Sequence, residues 1–204
     1  MFFRIICLAI GYCVGLIQAA FIVGKIIGKI DIREHGSGNS GTTNAVRVLG
    51  VKAGLIVFLT DMFKAVIGFL ICMLVFKEDM PLSGMYGGLG AILGHNFPFY
   101  LKFRGGKGTA SFLGLVLCMS FIEFRFILII YIVGFWIAFL SKYISLASLV
   151  ITLLFPACLY YLKFSLEAVL IGAVIAALSW VMHRQNIIRL IKGTESKFNF
   201  KKQI

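Results

Sequence analysis

The sequence predicts an all-α, polytopic integral membrane helical bundle with seven transmembrane helices, folded as a single domain over residues 1–204. Three observations predict it. Mean hydropathy is +0.99, and hydrophobic residues make up 60% of the chain against 14% charged, far from the balance of a water-soluble domain. Uncharged runs at 5–24, 81–101 and 143–162 are each long enough to cross a hydrocarbon core of roughly 30 Å. The cations, finally, fall unevenly on the two sides that such spans would create.

The first run, 5–24, reads as a retained helix, since it has neither a long basic leader nor a small-residue cleavage site. The second, 53–76, is apolar apart from Asp61 and Lys64, which are three apart and share a helix face. A lone charge at the membrane centre costs about 2.5–3.5 kcal/mol on insertion scales, so the two should neutralise each other inside the bundle. The third span is 81–101. The fourth and fifth, 108–122 and 126–141, are shorter, and a re-entrant hairpin turning at Glu123 and Arg125 is the alternative. The sixth is 143–162, and the seventh, 164–182, carries a single charge.

Paired glycines such as Gly11/Gly15, Gly84/Gly88 and Gly90/Gly94 would let helix backbones approach closely. The five cysteines lie in apolar spans without CxxC spacing and read as packing residues. No internal repeat of the inverted-transporter kind is visible.

With seven spans, fifteen lysines and arginines, Lys201 and Lys202 among them, fall on one side. Only Arg4, Lys77, Arg125 and Lys163 fall on the other. That bias puts the N-terminus outside and the C-terminus in the cytoplasm. The net charge of +12 therefore speaks of topology and anionic lipid, not of nucleic acid.

Three polar clusters share the cytoplasmic side. The first is the stretch 35–44, HGSGNSGTTN, followed by Arg47. Gly38 and Gly41 free the backbone to aim N–H groups at an anion, Ser37, Asn39, Thr43 and Asn44 add side-chain donors, and the Arg47 fork suits a phosphate. The second joins Gly94-His95-Asn96 to Arg104-Gly105-Gly106-Lys107-Gly108. Here flexible backbone and one point charge precede a helix N-terminus. The third, His183 to Arg189, sets His183 and Asn186 on one helix face. Taken singly, a glycine loop is usually only a turn, and a His-Arg pair at a helix end is usually an interfacial anchor. His95 in an apolar run would alone read as a structural histidine. Gly106-Lys107 lacks the following Ser or Thr of a Walker A loop. Three such clusters on one face are what a composite phosphate site requires.

In combination these motifs resemble the bacterial acyl-phosphate:glycerol-3-phosphate acyltransferases. Ser37-Gly38-Asn39-x-Gly41-x-Thr43-Asn44-x-x-Arg47 matches that family's first signature. Gly94-His95-x-Phe97-Pro98 with Gly105-Gly106-Lys107-Gly108 matches the second. His183-Arg184-x-Asn186-Ile187-x-Arg189-Leu190, followed by Gly193-x-Glu195-x-Lys197, matches the third. The resemblance implies a seven-helix enzyme of the bacterial cytoplasmic membrane that makes lysophosphatidate from glycerol 3-phosphate. It implies fatty acyl phosphate, not acyl-CoA, as donor, and a functional link to the enzyme that makes acyl phosphate. No metal cluster is visible in the sequence, and neither a metal nor a cofactor requirement is expected. The resemblance also assigns Ser37 and Arg47 to the essential first motif, phosphate binding to Lys107 and its glycines, and completion of the glycerol phosphate site to His183 and Asn186. The chain departs from the pattern at Gly15-Leu16-Ile17-Gln18, where the family usually has Gly-Ser-Ile-Pro, so a proline kink is not expected there. Arg104 and Thr109 replace the commoner lysine and valine.

Acyl phosphate is already activated, so positioning and charge stabilisation are the chief requirements. No Ser-His-Asp arrangement is present. The hydroxyl proton is expected to pass to a phosphate oxygen of the donor, because a cationic pocket weakens a histidine base. The reading from another class is a transporter or flippase for a phosphorylated molecule, with the clusters as a cytoplasmic gate. Against it, the external side carries only the Lys77-Glu78-Asp79 turn. A purely structural protein leaves the clusters unexplained. None of His35, His95 and His183 has the aspartate five residues on that a CoA-dependent His-x4-Asp enzyme needs.

Overall fold

A computed structural model describes residues 2–198, and every regular element among them is helical. Lys201 and Lys202, counted above with the cytoplasmic cations, lie outside the described residues. The chain divides into two compact units, one running to Leu115 and one from Val116.

The first unit opens with α1 (Phe2–Gly15), which breaks and resumes as α2 (Ala19–Val23), extended by a π turn over Gly24–Gly28. Proline is not needed for that break. Gln18 is fully buried and turns its side chain across to α5 (Leu82–Asn96), donating to the carbonyls of Gly94 at 3.2 Å and His95 at 3.1 Å. The break leaves the Ile17 carbonyl outside the helical ladder, where it accepts from Lys64 Nζ at 2.7 Å. Lys64 sits on α4 (Val51–Val75), the longest helix.

The paired glycines set how closely these helices pack. A Cβ on Gly11 would collide with the Gly87 carbonyl, one on Gly90 with that of Leu8, and one on Gly94 with that of Tyr12. On the far side of α5, a Cβ on Gly87 would strike Gly68 of α4. Backbones thus touch where side chains would hold them apart. The short amphipathic α3 (Thr42–Leu49) lies on α4, and a Cβ on Gly54 would overlap Val46. Ala19, Ala20, Val23, Ile32, Ala45, Ala53 and Val57 form the small-residue core beneath it.

The third span ends sooner than the apolar run suggests. Phe97 precedes Pro98 and leaves helical geometry at φ −130°, so α5 stops at Asn96. α6 (Thr109–Ile122) follows the glycine loop, and Ser111 Oγ donates to the Asp61 carbonyl at 2.9 Å.

In the second unit, the turn after α6 is closed by Arg125 on Glu123, with Nη2–Oε2 at 2.6 Å. That pair holds the Glu123 carboxyl at about 2, well below the usual range. A π turn over Ile127–Ile132 leads into α7 (Val133–Ser141), then α8 (Ile144–Tyr161) and α9 (Leu166–Met182), whose first turn is capped by Ser165 Oγ. Phe126 fills the space between Phe155 and Phe164, with ring centroids 5.7 Å from each. α9 bends by 62° at His183 into α10 (Arg184–Ile191).

Among the described residues, three helical stretches are long and apolar enough to cross a membrane: Phe2–Gly28, Val51–Val75 and Ile144–Tyr161. The bent α9–α10 pair reaches that length and hydropathy only when its two helices are taken together. Thr109–Ile122 and Ile127–Ser141 are apolar but shorter.

Candidate active site

Residues 31–47 make the first cluster. Asp31 accepts from the Arg33 backbone and binds its guanidinium at 2.6 and 3.0 Å, so the bonded cation holds the Asp31 carboxyl down at about 2. Arg33 also donates to the Leu101 carbonyl at 3.1 Å, tying this loop to the segment between the two halves of the second cluster. Asn44 is 1% exposed, and its two amide hydrogens go to the carbonyls of Ile32 and His35, at 3.1 and 2.9 Å. Its oxygen accepts from the Ser37 N–H at 2.8 Å. Asn44 therefore shapes the loop and spends its donors there. Gly36 and Gly38, at φ +60° and +71°, turn the chain through the left-handed region around it. That leaves Ser37, Gly38 and Thr43 exposed, with Asn39 half-buried and Gly41 extended before α3. Arg47 is exposed on α3, two turns from its start, and makes no bond among the described residues.

The second cluster packs against the end of α5. The N–H groups of Gly105 and Gly106 point inward, to the carbonyls of Asn96 at 3.2 Å and His95 at 3.1 Å. These glycines therefore serve close approach more than anion donation. A Cβ on Gly106 would collide with His95 Nε2 and come within 2.7 Å of the Ser40 carbonyl, so the structure brings the first two clusters together here. At Gly108, φ is +80°, and a Cβ would lie 2.8 Å from Asn96 Oδ1. Lys107 is half-buried between them, directly before α6.

His95 is 3% exposed, and its Nδ1 lies 2.7 Å from Lys64 Nζ. The ion pair expected of Asp61 and Lys64 is present at 2.8 Å, with both side chains 1% exposed. Two neighbours inside the polar clusters that the sequence reading gave no role, Ser40 and Asn96, are fully buried, and Ser40 Oγ and both polar atoms of the Asn96 side chain lack partners. Unpaired buried donors and acceptors are rare and costly. Their place inside the motif stretches was the available signal.

The third cluster belongs to the second unit. His183 terminates α9 and starts α10, and its Nδ1 lies 2.8 Å from the Ser179 carbonyl. A carbonyl only accepts, so Nδ1 carries a proton. Gly193, at φ +67°, closes α10 with bonds from Thr194 N to the Arg189 carbonyl and from its own N to that of Leu190. This Schellman turn folds the chain back. Glu195 then receives Asn186 Nδ2 at 2.6 Å, Arg189 Nε at 2.7 Å and Ser145 Oγ at 2.7 Å. Burial pushes the Glu195 carboxyl up, but these three donors outweigh it and hold it below the usual glutamate range. Ser145, from α8, was not singled out in the sequence. Among the described residues, no three His, Cys, Asp or Glu side chains gather as a metal cage.

The sequence model of a family described as "Glycerol-3-phosphate acyltransferase" matches residues 5–193, and so runs through all three clusters. The chain belongs to the glycerol-3-phosphate acyltransferase family. A family member from Shouchella clausii is 41% identical over 195 residues, covering 94% of each chain. One from Thermoanaerobacter pseudethanolicus is 40% identical, covering 96% of each. Among solved structures, the chain is similar to PlsY (YgiH), described as an integral membrane glycerol 3-phosphate acyltransferase. Its glycerol 3-phosphate form matches with a TM-score of 0.87 at 33% identity, over 98% of this chain and 97% of that one. The lysophosphatidic acid form matches at 0.83 and the same identity, over 96% and 95%.

Proposed function

We propose that this protein transfers a fatty acyl group from acyl phosphate to the 1-hydroxyl of glycerol 3-phosphate, releasing inorganic phosphate and lysophosphatidate. The observation that carries this reading is the end-to-end likeness to PlsY in its glycerol 3-phosphate form, together with the three matching signatures. We place the chain in a bacterial cytoplasmic membrane as one enzyme over residues 1–204, with seven spans, the N-terminus outside and the C-terminus inside. The positive-inside bias supports that orientation. The enzyme that makes acyl phosphate would supply its donor.

In this reading the three clusters serve one reaction. Arg47 and Lys107 bind phosphate, and Ser37 hydrogen-bonds a phosphate or the developing oxyanion. Asn186, held by Glu195, and His183 complete the glycerol phosphate site. The hydroxyl oxygen bonds to the acyl carbon, the carbon–oxygen bond to phosphate breaks, and the hydroxyl proton leaves on a phosphate oxygen. Every electron pair is then accounted for without a cofactor. A trapped acyl-serine at Ser37 would overturn its assignment. Near-full turnover by His183→Ala at saturating substrate would exclude a histidine base.

The deciding experiment gives the lipid-reconstituted protein glycerol 3-phosphate with palmitoyl phosphate or palmitoyl-CoA. Phosphate release and lysophosphatidate formation from palmitoyl phosphate alone are expected. Reaction from palmitoyl-CoA would overturn the donor assignment. Binding of glycerol 3-phosphate without chemistry would favour the transport reading.

A further inference from the structure

We propose that Lys64, braced by Asp61 and the Ile17 carbonyl, is a positioning residue that fixes the tautomer of His95, so that Nε2–H is presented as a donor to a phosphate at the glycine loop. The argument begins with counting protons. Lys64 Nζ has three short contacts: the Ile17 carbonyl at 2.7 Å, Asp61 Oδ1 at 2.8 Å and His95 Nδ1 at 2.7 Å. An ammonium has three N–H bonds and no lone pair. Two of its partners can only accept. The third, His95 Nδ1, must then accept as well, which puts the ring proton on Nε2. The opposite tautomer requires an uncharged lysine amine 2.8 Å from an ionised, buried carboxylate, and such a charge needs its partner. Asp61 does not replace lysine at the ring, because its nearer oxygen is 3.4 Å from Nδ1, too long for a charge-assisted bond.

Two features aim the proton. The His95 backbone is clamped, since its carbonyl accepts from Gln18 Nε2 and from the Gly106 N–H. The Nε2 edge of the ring lies where a Cβ of residue 106 would stand, so only glycine leaves it room. Nε2 itself has no partner among the described residues. An independent observation points to a ligand at this place. Asn96, fully buried with its amide nitrogen and oxygen both unpartnered, turns that oxygen toward Gly108, and Ser40, whose backbone carbonyl lies against Gly106, is buried with an unpartnered hydroxyl. A phosphate, with acceptor oxygens and a protonated oxygen in its monoanion, carries both kinds of partner that such groups lack.

The inference rests on the function proposed above for what the anion is, but not for the tautomer. The test therefore reads the ring directly. The chain has three histidines, His35, His95 and His183. Ring-15N-histidine labelling of the lipid-reconstituted protein gives three sets of signals, and the set lost in His95→Gln is that of His95. The expected result is a protonated Nε2 and an unprotonated Nδ1 for His95, whereas Nδ1 of His183 carries a proton. Glycerol 3-phosphate or inorganic phosphate should shift the Nε2 signal. In Lys64→Met, the fixed tautomer should give way to a mixture. The KM for glycerol 3-phosphate should rise roughly tenfold, the size of one lost hydrogen bond to a charged group, with a smaller change in kcat. Lys64→Arg, which also can only donate, should restore the wild-type ring signals at least in part. A protonated Nδ1 on His95 in the wild-type protein overturns the proposal, whether or not the variants fold. A protein that transfers acyl groups while Nε2 ignores both phosphates refutes the donor role. Should acyl transfer be absent with Nε2–H in place and responsive to phosphate, the reaction assignment fails and the positioning role stands.

Discussion

Asn44 shows how a side chain can belong to a binding motif without offering its polar atoms to a ligand. Its amide hydrogens hold the Ile32 and His35 carbonyls, and its oxygen fixes Ser37. The exposed neighbours Ser37 and Arg47 are the residues proposed above to meet the incoming phosphate. Because a planar fork can grip two phosphate oxygens and an ammonium cannot, Arg47→Lys should lose roughly ten- to a hundred-fold in kcat/KM, the worth of a charge-assisted bond. Unchanged kinetics would rule out two-point binding. Glu195 supports a prediction about pH. Its carboxyl titrates below the ordinary value, so its stabilising bonds are fully present above that value and are lost as pH falls through the lowered one. Thermal stability should accordingly fall once the pH drops below about 4.5. Glu195→Gln should melt lower at pH 7 and show a shallower acid loss, read from melting curves at pH 7 and pH 4. Parallel pH curves for the two proteins would count against the clamp. Asp31, held at about 2, should lose its own contribution only at still lower pH.

At the scale of elements, glycine spacing was a legible signal whose meaning lay in the partner helix. Gly11, Gly15, Gly90 and Gly94 read as close-packing positions, and the structure puts α1 and α5 backbone to backbone at each of them. Gly11→Ala should destabilise the protein more than an alanine at a lipid-facing site such as Leu70, because the Gly87 carbonyl cannot move aside. Fluorescence-detected size exclusion after a heating series would measure this. Equal tolerance of the two changes would mean that the helices can separate without loss. The Gln18 position was legible only as a departure from the family pattern. That its amide would cap the end of α5 while the Ile17 carbonyl turned to Lys64 depends on helices far apart in the chain. The glycine loop similarly read as an anion nest. Its inward N–H groups became evident only once α5 was seen to end at Asn96 and offer free carbonyls.

For the whole molecule, the unequal distribution of cations carries the prediction. A fluorescent protein fused after Ile204 should fold and fluoresce on the cytoplasmic side, and a single cysteine introduced beside Lys77 should react with an impermeant thiol reagent added outside. The opposite labelling would overturn the orientation proposed above. By itself the sequence determined the helical membrane class, the three polar clusters and the family. Those follow from the length of apolar runs and the backbone chemistry of short stretches, which are local along the chain. Only the tertiary structure decided what the side chains do. Lys64 meets His95 across 31 residues and Ile17 across 47, Gly106 lies against Ser40, and Glu195 turns back on Asn186. Such pairings depend on where helices break and how closely their glycines let them approach, and no local pattern encodes that distance.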